Sequence, residues 1–112
     1  MAYTKQLLYE TLRSIDSATF TGSYQALGTP LVHPASIVKL VNNSTVLVTV
    51  SIDGVNDYDV APSNSFWLYD ATANTPSQGD DAIFAPQGRQ YFVSGSAGTG
   101  LVYLVVQYIL QV

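Results

Sequence analysis

The sequence predicts an all-β fold, a single-domain β-sandwich or jelly roll of about seven to eight antiparallel strands, and three observations carry that prediction. First, the 112 residues hold 8 Tyr, 4 Phe and many valines, the side chains that suit a pleated, half-buried surface. Second, short apolar runs recur between Gly, Pro, Asn and Asp clusters. Third, residues 45–53 alternate strictly, with Val46, Val48, Val50 and Ile52 on one face and Leu47, Thr49, Ser51 and Asp53 on the other.

Residues 1–19 are ambiguous. Leu8, Leu12 and Ile15 fit a helical stripe, while TLRSIDSATF suits an extended segment, so this part reads as an N-terminal arm, a first strand or a short helix ahead of a sandwich domain at 20–112. After Gly22, residues 23–27 form a short strand, punctuated by Gly28-Thr29-Pro30 and His33-Pro34. Residues 36–41 form the next, and Asn42-Asn43-Ser44 supplies turn chemistry before the alternating run at 45–53. Asp53-Gly54 opens a turn into residues 57–60, Pro62 ends that piece, and residues 65–70 make another strand. Residues 71–81 read as one long loop and 83–85 as a short apolar piece. Residues 89–94 read as a strand, 95–100 as a hairpin turn and 101–110 as the last strand.

Composition excludes several classes of function. Charged residues are 11% of the chain, less than half of the roughly 25% usual in soluble domains, so the surface is covered by small polar and apolar groups. Such a surface suits contact with protein, since few charges must be desolvated. The net charge is −4, and Lys5, Arg13, Lys39 and Arg89 are scattered, which leaves no stripe for a nucleic-acid backbone. Cysteine is absent, and with it disulfides, zinc thiolates and thiol nucleophiles. The start, MAYTKQLLYETLRS, carries no apolar signal-peptide core, and the longest apolar stretch is too short for a membrane helix. A protein made and kept in a cytoplasm is expected, unless a particle carries it out.

The motifs that suggest chemistry are incomplete. Gly95-Ser96-Ala97-Gly98-Thr99-Gly100 is glycine-rich, yet it has no lysine and precedes a strand, whereas phosphate loops open helices. The single histidine, His33, sits in a connecting segment with no G-x-S-x-G elbow anywhere, and reads as an ordinary loop residue. Asp53, Asn56, Asp57 and Asp59, with the Asp80-Asp81 pair, raise a calcium site, but their spacing departs from the calcium-loop pattern and matches what tight turns prefer. Nothing marks a glycosidase pair of acids, and the sequons at Asn42 and Asn43 carry meaning only in a secreted protein. No catalytic residue, metal or cofactor is expected.

Two stretches point instead to contact. In Phe66-Trp67-Leu68-Tyr69-Asp70, if Phe66 and Leu68 face the core, Trp67 and Tyr69 stand together outside as a sugar platform or a protein-contact patch; the alternative puts Trp67 in the core. The last strand is apolar on both faces. Val102, Leu104, Val106, Tyr108 and Leu110 line one, and Leu101, Tyr103, Val105 and Ile109 the other, relieved only by Gln107. Such a strand is either covered on both sides within the domain or covered by another subunit.

IVKLVNNSTVLVTVSIDGVNDYDVAPSNSFWLYD, followed by GRQYFVSGSAGTGLVYLVVQYI and preceded by FTGSYQALGTPL, resembles small virion structural proteins of tailed bacteriophages. The resemblance runs from about Phe20 onward. It implies a β-sandwich or jelly-roll capsid decoration (cement) protein without enzymatic activity, a homo-oligomer that binds the phage major capsid protein in the virion and touches neither nucleic acid nor membrane. No functional motif carries over residue by residue, because such proteins act by surface contact. Candidate interface residues are Trp67, Tyr69, Leu101, Tyr103, Val105 and Ile109. A head-tail neck or tail component and a carbohydrate-binding module are the alternatives.

Overall fold

The computed structural model describes residues 5–70 and 85–111, with side chains for 7–70 and 85–109. The expected long loop at 71–81, Asp80-Asp81 and most of the apolar piece at 83–85 lie outside the described residues; Ala85 itself bridges Ala35. Nine strands follow in order: β1 (Lys5–Tyr9), β2 (Arg13–Asp16), β3 (Gln25–Ala26), β4 (Ile37–Asn42), β5 (Val48–Ser51), β6 (Asp59–Ala61), β7 (Ser65–Asp70), β8 (Phe92–Ser94) and β9 (Leu101–Gln111). A 3-10 turn at Ser17–Thr19 follows β2, capped by the Asp16 carboxylate, which accepts from the Ala18 amide.

The strands form two antiparallel sheets. One has the order β1-β9-β4-β7, with β2 also on β9, and the other β3-β8-β5-β6. Taking β1 and β2 as one interrupted strand, each sheet has four, and every connection except β5–β6 crosses from one sheet to the other. That is the strand order of an eight-stranded jelly roll, as the turn spacing in the sequence predicts. The helical option for the N-terminus gives way to strands. Both β1 and β2 lie on the same edge of β9, which gives Leu8 and Ile15 a sheet to pack on.

The first strand is interrupted for a geometric reason. Between the pairs Tyr9↔Gln107 and Arg13↔Leu104 the N-terminal chain takes four steps (9 to 13) where β9 takes three (107 to 104). The extra residue is a β-bulge, which turns Arg13 toward the interior, onto the side where Glu10 already points.

The core lies between the sheets. Val38 and Leu40 of β4 and Val102, Leu104 and Val106 of β9 meet Val48 and Val50 of β5 and Val93 of β8, all buried, with Phe20, Leu27, Leu31 and Tyr91 closing the sides. The alternation at 45–53 holds for Val48 and Val50. It fails at Ile52, which is exposed because the chain leaves β5 after Ser51, while Leu47 is exposed on the opposite face as the alternation expects.

Three crossings meet at one end around Asn42, which is fully buried. The two hydrogens of its Nδ2 are shared among the carbonyls of Val46, Ala61 and Pro62 at 2.9, 2.8 and 3.1 Å, and its Oδ1 accepts from the Ser44 amide and hydroxyl. The turn after β4 is thereby tied to the end of β6. Ser63 Oγ donates to the Ser44 carbonyl, joining the β6–β7 crossing to the same turn.

The glycine segment at 95–100 is not the expected hairpin. Since β8 and β9 belong to different sheets, it is a corner. It packs on the Asn42–Ser44 turn. Thr45 and Thr99 exchange hydrogen bonds, and the Gly98 amide donates to the Ser17 carbonyl. A Cβ on Gly100, whose φ is +104°, would lie 2.3 Å from the Asn43 carbonyl oxygen, so glycine is required both for conformation and for space. The amides that a phosphate would need at Gly98 and Thr99 are already bonded.

Two outcomes follow for stability. Asn42→Ala strips partners from several buried carbonyls and is expected to cost about 3 kcal/mol in urea unfolding. Gly100→Ala is expected to cost more than Gly22→Ala. Both have positive φ, but a Cβ at Gly22 meets nothing within 4 Å, so only the strain of about 1 kcal/mol applies there.

Candidate interaction surface

Because β4 and β9 bury one face in the core, their alternate residues form the outer face of the β1-β9-β4-β7 sheet. The register places these residues in rows across it. Tyr9, Gln107, Ile37 and Asp70 make one row; Val105, Lys39 and Leu68 the next; Ser14, Tyr103, Val41 and Phe66 a third. Asp16 and Leu101 lie beyond at one end, Leu7 and Ile109 at the other. Tyr9 is 68% exposed, Phe66 64% and Leu68 53%, while Tyr103, Val105 and Ile109 are half-buried by their neighbours. An antiparallel sheet ordinarily gives its outer face to polar side chains. Here aliphatic and aromatic groups predominate in each row, interrupted by Ser14, Gln107 and Asp70, with Lys39 as the one cation among the described side chains.

Of the candidate interface residues, Leu101, Tyr103, Val105 and Ile109 lie together on this face. Trp67 and Tyr69 do not. Trp67 pairs with Leu40 and packs partly buried against the core, and its Nε1 finds no acceptor among the described residues. Tyr69 pairs with Val38 on the same inward side but is 45% exposed. The parity of β7 is therefore the reverse of the arrangement that would put the indole and phenol outside. Phe66 and Leu68 take the open positions instead, because the β4 register sets them beside Val41 and Lys39. Their exposure, and that of Leu7 and Tyr9, was hidden in a sequence whose alternation shows two faces without saying which one is covered.

The acidic cluster is a turn device. Asp53 Oδ1 accepts from Ser51 Oγ and from the amides of Val55 and Asn56 at 2.8 to 2.9 Å, while Oδ2 accepts from Asn56 Nδ2 and the Tyr58 hydroxyl. The Asn56 and Val55 amides, then Ser51 and the Asn56 side chain, hold this carboxyl well below the usual range. Nearby, the Tyr24 hydroxyl donates to Asp57, and desolvation together with that carboxylate pushes its pKa up to about 12. Among the described residues no three His, Cys, Asp or Glu side chains gather as a metal cage.

His33 has more partners than a loop residue needs. Its ring stacks on Tyr108, centroids 3.7 Å apart and 5° from parallel, and its Nδ1–H donates to Glu10 Oε2 at 2.9 Å. The Glu10 carboxylate, 3% exposed, also accepts from Arg13 Nη2 at 2.8 Å and from the amides of Val32 and His33. Arg13 in turn donates to the carbonyls of Thr11, Thr29 and Pro30. Burial by itself raises the Glu10 pKa; the donors from Arg13, the His33 ring and the two amides outweigh it, so the carboxyl titrates below its ordinary 4.5. The cluster fastens the β3–β4 connection to the bulged edge of the sheet.

Comparison with protein-family models, with curated proteins and with solved structures finds no match to this chain.

A group whose folded pKa is depressed stabilises the fold above its unfolded pKa, and that stability disappears as the pH falls through the folded value. Urea midpoints are therefore expected to drop between neutral pH and the region below 4.5. Glu10→Gln, which leaves Arg13 buried without its counter-charge, is expected to cost about 3 kcal/mol at pH 7 and to flatten that profile. An unchanged profile in the variant would show that other carboxylates govern acid unfolding.

Proposed function

We propose that the protein is a non-enzymatic structural component of a virus particle, a capsid decoration protein that binds the assembled head and itself, and strengthens the head by surface contact. The observation that carries this reading is the apolar outer face of the β1-β9-β4-β7 sheet, a surface suited to a macromolecular cover. Low charge supports it, since association then desolvates few ions. So does the resemblance of the turn-and-strand motifs, from the NNS turn through the LYD strand to the AGTG corner, to small tailed-phage virion proteins.

The mechanism is linkage. A protein that binds joints between subunits in the assembled shell, and binds dispersed subunits poorly, shifts the equilibrium toward the shell by mass action; at a free concentration 100 times its Kd each site contributes about 2.7 kcal/mol. A rigid jelly roll serves this well, because little conformational freedom is lost on docking. The inward placement of Trp67 weighs against the carbohydrate-binding alternative, which called for Trp67 and Tyr69 side by side on an open face.

Sedimentation with shells assembled from the major capsid protein of the same virus tests the reading. Saturable co-sedimentation and a raised shell melting temperature are expected. Binding to a portal or tail complex with none to shells would move the protein to the neck or tail, and binding to neither would overturn the structural reading.

A further inference from the structure

We propose that the outer face of the β1-β9-β4-β7 sheet is covered by the same face of a second copy, related by a two-fold axis that runs parallel to the strands between β9 and β4. The inference rests on the contact-protein reading and names the partner for its main surface. It starts from area. Four strands at about 4.8 Å spacing and the stretch of β9 from Leu101 to Ile109, at about 3.4 Å per residue, give a face of about 19 by 27 Å. That is near 500 Å² per copy and about 1,000 Å² for the pair, the lower bound for a biological interface between folded proteins.

Charge narrows the choice of partner. Among the described side chains the face offers one cation, Lys39, near its middle, and carboxylates, Asp16 and Asp70, at two corners, while Lys5 holds a register position at the far end of the β1 edge. A phosphate-rich partner needs several cations. Another copy brings the same apolar rows and the same twist, and two twisted sheets of one hand pack face to face at about 10 Å with their strands within about 30°.

Side-chain pairing selects the axis. A two-fold perpendicular to the strands through the Lys39 row would lay Phe66 of one copy over Asp70 of the other. Parallel to the strands, it lays β4 of one copy over β9 of the other and keeps each row at its own height. Lys39 then lies over Val105 of the second copy, between Tyr103 and Gln107 of that same strand, whose hydroxyl and amide oxygens accept from the ammonium. The bulky edge residue Phe66 comes over Ser14, a small one.

Analytical ultracentrifugation of the full chain from 1 to 200 μM provides the test, over a range set by ordinary affinities for an interface this size. The wild type is expected to sediment as a dimer. Val105→Lys at the centre of the face, and Leu68→Lys on the exposed edge strand, are each expected to weaken it at least 100-fold. Val60→Lys, on the outer face of the other sheet, is expected to leave it unchanged. Circular dichroism melts identify any variant that fails to fold, and Leu68→Lys, on a side chain already in solvent, decides if Val105→Lys does so. A wild-type monomer throughout, or a dimer that survives a folded Leu68→Lys, overturns the proposal. Shell co-sedimentation is scored separately: a monomer that binds shells overturns this inference alone, and a dimer that ignores them overturns only the decoration reading.

Discussion

The buried side chain of Asn42 holds the two sheets in register at one end, and much of the fold follows from it. A jelly roll must carry its chain between layers repeatedly, and each crossing leaves backbone carbonyls with no ladder to bond to. Asn42 answers three of them with one amide nitrogen, at the end of β4 where the turn to β5, the end of β6 and the start of the path to β7 converge. The glycine corner into β9 packs against the same turn, at a distance that excludes a Cβ at Gly100. With that end closed, β4 and β9 pair along six residues and present Val38, Leu40, Val102, Leu104 and Val106 to the core together.

The same constraint creates the open face. A strand pair that commits one side to the core puts every alternate residue on the other side, and in β4, β7 and β9 those alternates are Ile37, Val41, Phe66, Leu68, Tyr103 and Val105. Nothing about folding demands apolar groups there. The second sheet mixes polar and apolar residues on its outer side, with Thr49 and Ser94 beside Val60 and Phe92.

At the other end the order is ionic. The bulge between β1 and β2 brings Arg13 inward to meet Glu10 and His33, and the β3–β4 connection is held by charge-assisted hydrogen bonds in place of a ladder. A buried ion pair is a modest source of net stability, since desolvation opposes it; its clearer effect is to specify one path for a segment that has little regular structure. His33, with no chemical role suggested by its neighbours in sequence, acquires one in positioning.

The sequence by itself determined the fold class, the sites of the turns and the two apolar faces of the last strand, because alternation, Asn-Asn-Ser, Asp-Gly and the glycine cluster act locally through side-chain parity and backbone sterics. That Leu101, Tyr103, Val105 and Ile109 share one face of the last strand was legible in this way. Which side of β7 faces in was decided only by its register on β4. The same period of two serves either choice, and Trp67 went to the core because Leu40 was already there. Likewise the GSAGTG segment carries the chemistry of a sharp bend, but whether a bend closes a hairpin or carries the chain to another layer depends on where β8 and β9 find partners. That partner choice minimises exposed apolar area over the whole molecule, a quantity no local stretch contains.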